Sequence, residues 1–175
     1  MKFIHDIIID DLYSKNSNNF KYRKAVRGII LNDKDEVALI HIVGSDAFGV
    51  RDHYELPGGG IEDNEEYITA LKREIKEEIG YEINNEKEIG IIEIEYNILN
   101  RIDAQYYFLA NQTNYVGTDL IEYEKKLFKE IIYVPITLIE EFYENHKTSG
   151  VGKNIHKRDL IALKYAINNF LSKNT

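Results

Sequence analysis

Residues 59–81 read GGIEDNEEYITALKREIKEEIGY, and this stretch decides how the rest of the chain is understood. It opens on a glycine turn, continues as a helix carrying Arg73-Glu74 and Glu77-Glu78, and stops at Gly80. Asp63, followed three residues later by Glu66, is expected to cap the helix as a capping box. Gly80 is expected to end it, just past the last turn. At about 100° per residue, with Glu74 set to zero, Leu71, Ile75, Ile68 and Ile79 fall at roughly 60°, 100°, 120° and 140°. That is one apolar stripe. Glu78 falls near about 40° and Glu77 near about −60°, so the three glutamates form an arc of about 100° bordering the stripe. Arg73 and Lys76 are expected to point elsewhere and to leave that edge unneutralised.

A charge run on a helix is usually a solvated face, where like-charge pairs cost only tenths of a kcal/mol. This arc lies at the margin of the core instead. At about 6 Å and an effective dielectric of about 20, each carboxylate pair repels by roughly 2–3 kcal/mol. A divalent cation would offset that, and hard oxygen ligands suit Mg²⁺ or Mn²⁺. The preceding Glu55-Leu56-Pro57-Gly58-Gly59-Gly60 is a strand end running into three glycines, which let backbone approach a ligand closely. No Gly-Lys-Ser/Thr closes the loop, so it is not a P-loop.

The stretch closely resembles the Nudix box of the Nudix hydrolases. Gly59, Glu65, Arg73, Glu74, Ile75, Glu77, Glu78 and Gly80 occupy that pattern's places. Only Tyr81 departs, an aromatic where an aliphatic is usual. With seven single-type positions at about 10% each, and about 150 windows, a chance match has odds near ~10⁻⁵. The resemblance implies an α/β/α sandwich with a mixed sheet between helices, where periodicity alone gives only α+β. It implies hydrolysis of a nucleoside diphosphate linked to another moiety, with Glu74, Glu77 and Glu78 as metal ligands, one of them a general base. A loop carbonyl near Gly59 joins the metal set. Arg73 and Glu65 would orient loop and helix, as a salt bridge. A further acid from a late loop is expected at Glu122, ahead of Glu124.

Substrate is less legible. Arg27 and Arg51 are candidates to meet phosphates, and Tyr54 to pack beside a base. Pro57 and Pro135 are the only prolines, so the proline that ADP-ribose hydrolases of the family carry past the box is missing. Tyr96 lies near where dinucleoside polyphosphate hydrolases carry a tyrosine. The leading expectation is a Mg²⁺- or Mn²⁺-dependent hydrolase of a nucleoside triphosphate or modified, including oxidised, nucleotide, releasing NMP and pyrophosphate. Dinucleoside polyphosphates and nucleotide sugars are alternatives, as is a non-catalytic regulatory nucleotide-binding domain.

The 175 residues can bury a proper core and are expected to form one domain, 1–175. A net charge of −8 argues against a nucleic acid polymer as partner, because that needs a basic footprint. The absence of cysteine excludes disulfides and thiol catalysis. The N-terminus MKFIHDIIIDD is too acidic for a signal peptide, and no apolar run reaches membrane-spanning length. A cytoplasmic monomer or homodimer acting on a small molecule is expected.

Around the central helix, strands are predicted at 3–9, 22–31, 37–43, 53–56, 89–97, 102–110 and 128–134. Residues 32–35 should turn a hairpin, 99–101 another, and 13–19, 44–52, 111–126 and 147–153 should be loops. Pro135 ends the strand 128–134, residues 136–145 read as a short helix, and 159–171 as an amphipathic one.

Overall fold

A computed structural model describes residues 4–15 and 18–171. Position 3 of the first predicted strand, positions 16–17 of the following loop and the last four residues lie outside them. Seven strands form one mixed sheet: β1 (Ile4–Ile8), β2 (Lys21–Leu31), β3 (Glu36–Asp46), β4 (Gly49–Glu55), β5 (Tyr81–Tyr96), β6 (Arg101–Tyr115) and β7 (Phe128–Pro135). The helices are α1 (Tyr67–Ile79), α2 (Glu122–Leu127), α3 (Ile139–Asn145) and α4 (Val151–Ala166), the last running into a π-helical turn at Ile167–Leu171.

The strand order is β1-β5-β6-β2-β3-β4, with β7 on the other side of β3. β1 runs parallel to β5 and β2 parallel to β6, while the remaining pairs are antiparallel. Period-two alternation divides the core between the two faces. Val26 and Ile30 of β2, with Ala38 and Ile40 of β3, pack under Leu71, Ile75 and Ile79 of α1. Ile29 and Leu31, with Val37 and Leu39, face Val151, Ile155, Ala162 and Leu163 of α4. The result is the expected α/β/α sandwich. Burying Leu71, Ile75 and Ile79 completely contributes about 5–9 kcal/mol before entropy is charged against it.

β2 and β3 share one pair, Leu31 opposite Val37, and then diverge. The freed edge of β2 takes the glycine loop instead. Val26 N donates to Gly59 O at 2.9 Å, Gly28 N to Pro57 O at 2.9 Å, and Ile61 N to Lys24 O at 3.1 Å. The loop is thus held as an irregular extra strand directly before α1.

Several expectations need correction. Asp63 does not cap α1: the helix starts at Tyr67, and Glu66 is its N-cap without a side-chain hydrogen bond. The Glu65 carboxylate is the local acceptor instead, taking Glu62 N at 3.0 Å. Gly80 does stop the helix, at φ 78°. Residues 44–52 are not a loop but the end of β3, a tight turn at 47–48 and the start of β4, with Asp46 opposite Gly49. β5 begins eight residues before the predicted 89, its polar first half kept in the sheet by bulged pairing with β6. The predicted connection 111–126 contains the end of β6 and most of α2. The last helix starts at Val151, two turns before the predicted 159. Among the described residues no helix is long and apolar enough to cross a membrane.

Candidate active site

The Gly58–Gly60 loop, the glutamate edge of α1, the ends of β2 and β4, and α2 enclose one cavity of about 560 Å³. Four arginines line it, Arg23, Arg27, Arg51 and Arg73, together with six glutamates: Glu55, Glu62, Glu74, Glu77, Glu78 and Glu124. The loop's close approach to β2 on one side and α1 on the other explains two of its glycines. At Gly58, φ is 138° and an added Cβ would strike the Val26 carbonyl, while at Gly59 a Cβ would strike the Glu74 carboxylate.

The three helix glutamates sit in graded environments. Glu74 is buried, Glu77 is more open, and Glu78 accepts the Gly58 N–H at 2.6 Å. Burial pushes the Glu78 carboxyl well above the usual carboxylate range, against the opposing pull of Arg27 and the Gly58 N–H. Burial also raises Glu74, with Arg73 pulling the other way. Glu55 behaves differently. Burial alone would raise it, but Arg27, His53 and Arg158 hold it down at about 2.

Arg73 ties the constellation together. Its Nη2 donates to Glu65 Oε2 and to Gly60 O, both at 2.9 Å, and its Nε to Glu65 Oε1 at 2.9 Å. Its Nη1 donates to Glu74 at 2.7 Å and to Glu77 at 3.2 Å. The expectation that the basic residues leave the acidic edge alone therefore fails for Arg73. Its side chain spans the turn and binds two of the three carboxylates. Among the described residues no three acidic or histidine side chains converge closely enough, as they stand, to hold a metal ion. The donor set still fits one: hard carboxylate oxygens on one cavity wall, two of them with pKa values raised by burial, are what a dication would stabilise. The Gly59 carbonyl accepts Val26 N and keeps a second lone pair. Alternation along the loop turns the Gly58 and Gly60 carbonyls away from β2, and the Gly60 oxygen meets Arg73.

Residues 21–148 match the protein family described as NUDIX domain. The chain belongs to the Nudix hydrolase family. A curated relative, an RNA pyrophosphohydrolase from Orientia tsutsugamushi (strain Boryong), is 41% identical over 66 residues. That match spans 38% of the Nudix chain and 38% of the relative. A NUDIX hydrolase from Nitrosomonas europaea superposes with a TM-score of 0.64 at 18% identity, covering 85% of this chain and 90% of that one. A MutT NUDIX hydrolase from Burkholderia pseudomallei gives 0.62 at 15%, covering 83% and 98%. An ADP compounds hydrolase gives 0.63 at 17%, covering 87% and 75%. These three likenesses establish the fold.

In the Nudix cavity the sequence-predicted Arg27, Arg51, Gly59, Arg73, Glu74, Glu77 and Glu78 are brought together. Glu65 stands behind Arg73. Two candidates are not brought in. Tyr54 stacks on His41 at 4.2 Å and packs edge-on to Phe142 at 4.9 Å, away from the cavity lining. Glu122 is 85% exposed and pairs with Lys125 at 2.9 Å. Its neighbour Glu124 lines the cavity, where its carboxylate caps the Ile121 N–H at 2.9 Å.

Sequence reading missed Arg23, Glu55 and Tyr123, which line the Nudix cavity, and the buried support beneath it. Asp159, fully buried on α4, accepts Leu56 N at 2.8 Å, Tyr107 Oη at 2.7 Å and Arg158 Nε at 2.9 Å. Arg158 reaches on to Glu55 at 3.2 Å, and Arg27 donates to Leu56 O at 3.0 Å. Both polar groups of the Leu56 backbone, just before the glycines, are thereby pinned. The one sequence signal was an Arg-Asp pair inside an apolar helical pattern.

Proposed function

We propose that this chain is a divalent-metal-dependent pyrophosphohydrolase. Its substrate is a nucleoside triphosphate or modified nucleotide, which it cleaves at a diphosphate linkage to NMP and pyrophosphate. One observation carries this reading: the glutamate edge of α1, the glycine loop and three further arginines face one another across a single cavity. Residues 1–175 act as one domain, as a monomer or homodimer in the cytoplasm.

A polyphosphate repels an incoming nucleophile, so its charge must be screened before water can attack. Arg23, Arg27 and Arg51 supply cationic donors along the cavity. The side-chain-free loop lets backbone approach the phosphates. Mg²⁺ or Mn²⁺ held by Glu74, Glu77 and Glu78 would neutralise phosphate oxygens and acidify the attacking water. One of these carboxylates takes the water's proton. Arg73 holds Glu65, the Gly60 carbonyl and the glutamate edge in register, so loop and helix present their groups together.

A second reading shares this chemistry. The local similarity to an RNA pyrophosphohydrolase favours RNA with a terminal phosphoanhydride as substrate. The net charge of −8 confines any such contact to the RNA end, because extended backbone binding needs a basic surface. A panel of nucleoside triphosphates, dinucleoside polyphosphates, nucleotide sugars and 5′-triphosphorylated RNA, assayed with Mg²⁺, tests both readings. Metal-dependent turnover of a panel member supports the proposal and names the substrate. Tight nucleotide binding without turnover of any would make the chain a regulatory binding domain.

A further inference from the structure

The cavity is chemically uneven. One wall is the glycine loop and the glutamate edge. The other is built by Leu120, Ile121, Tyr123 and Leu127 on and before α2, with Ile42 and Phe128 beneath them. Tyr123 and Ile121 are 55% and 63% exposed, large apolar side chains left open to water at the cavity. An exposed tyrosine is ordinarily a solvated side chain, but this one is held in place. Its hydroxyl donates to Asp46 Oδ2 at 2.8 Å, and the same oxygen accepts Arg51 Nη1 at 2.6 Å. The other Asp46 oxygen takes Phe48 N at 2.9 Å, so the carboxylate cannot swing away without losing three partners. Arg51 is itself backed by the Phe48 ring at 5.5 Å, and its buried Nε lacks a hydrogen-bond partner. The phenol is therefore anchored at its tip. Among the described residues no other aromatic ring stacks on it, whereas Tyr54 is already covered by His41.

An anchored aromatic beside a polyphosphate site is pre-organised to receive a flat, weakly polar group, because little side-chain freedom is lost on contact. We infer that Tyr123, fixed by Asp46 and Arg51, is the stacking platform for the substrate's nucleobase. The polyphosphate then runs from α2 towards the glycine loop. This rests on the hydrolase reading above, and it adds to it a specificity residue outside the Nudix box. Stacking is tolerant of base identity, so the platform selects nucleotides over bare polyphosphates and does not choose among bases. Ile121 and Leu120 extend the apolar surface on which the base lies.

The test is calorimetric, on the full chain with Mg²⁺. A non-hydrolysable nucleoside triphosphate analogue and inorganic tripolyphosphate are titrated into the parent, Tyr123→Ala and Tyr123→Phe. The parent should bind the nucleoside analogue at least about tenfold more tightly than tripolyphosphate. Tyr123→Ala should weaken the analogue about tenfold, equivalent to about 1.4 kcal/mol, and leave tripolyphosphate within about twofold. Tyr123→Phe keeps the ring and should stay within about threefold of the parent for both. The platform is overturned if the parent binds both ligands alike or binds neither. It is equally overturned if Tyr123→Ala leaves both affinities unchanged or weakens both equally. Turnover is measured separately on the parent. Base-dependent binding without hydrolysis would sink the hydrolase reading and leave the platform standing, whereas hydrolysis without base-dependent binding would do the reverse.

Discussion

Replacing Asp159 by alanine should destabilise the protein more than any change at the cavity rim. The side chain is fully buried, and its two oxygens receive the Leu56 amide, the Tyr107 hydroxyl and Arg158 Nε. Removing it strands three buried donors. The most costly is Arg158, itself 1% exposed and left with Glu55 at 3.2 Å as its remaining carboxylate. Breaking a buried ion pair by deleting one partner costs about 3–5 kcal/mol. That is a large share of the ~5–15 kcal/mol by which domains are stable. For a chain of this size it corresponds to a fall in Tm of roughly 8–16 °C. Urea unfolding followed by circular dichroism gives the free energy directly. Asp159→Asn keeps one acceptor but not the charge, and its NH2 would face one of these donors, so it should lose nearly as much. A loss below about 1 kcal/mol for Asp159→Ala would mean that water or rearrangement satisfies those donors, and the argument from burial would be refuted.

Three further outcomes are expected. Mg²⁺ should raise Tm, because a ligand bound only by the native state stabilises it by about 2.7 kcal/mol at a hundred times its Kd. Thermal scans with and without Mg²⁺ should show that gain in the parent and little of it in Glu78→Gln. Burial lowers His53 and His156 to about 4, below the 6.5 of an exposed ring. The unfolded chain then binds more protons between those values. Each ring's contribution is fully present above about 6.5 and is lost as pH falls towards 4, by up to about 1.4 kcal/mol per unit. Comparing unfolding at pH 7.5 and 5.0 in the parent and in His156→Gln should show a shallower acid loss in the variant. Finally, Glu122→Ala and Tyr54→Ala should leave KM within about twofold in a steady-state assay, since neither side chain lines the cavity.

The parts of this protein that follow from local pattern could be read from the sequence. The stripe Leu71–Ile75–Ile79 and the stop at Gly80 fix the buried face and the end of α1 without outside help. The alternation in β2 and β3 sorts their residues between two cores. The box glutamates could be placed on one edge because helical geometry alone does so. What resisted was whatever long-range contact decides. The start of α4 goes unassigned in the sequence reading because Asn154, His156 and Arg158 are polar, yet all three are buried, as is Asp159 where the predicted helix begins. Their partners, such as Leu56 and Glu55, lie a hundred residues away. The first half of β4, residues 49–52, likewise reads as a loop, since Arg51 and Asp52 interrupt any alternation and only pairing with β3 makes it strand. Arg73 was misplaced because its Cβ direction was taken for the direction of its charge, and a long flexible side chain separates the two.

The central claim is that Glu74, Glu77 and Glu78 form the acid and metal-binding edge of a phosphoanhydride hydrolase. Its most direct test is the Mg²⁺-dependent hydrolysis rate, on the best panel substrate, of Glu78→Gln beside the parent. The variant keeps the side chain's size and an acceptor for the Gly58 N–H, so the loop stays where it is. A fall in kcat of about a hundredfold or more, with the Tm measured without Mg²⁺ preserved, is the predicted result. Hydrolysis at the parent rate would contradict the account.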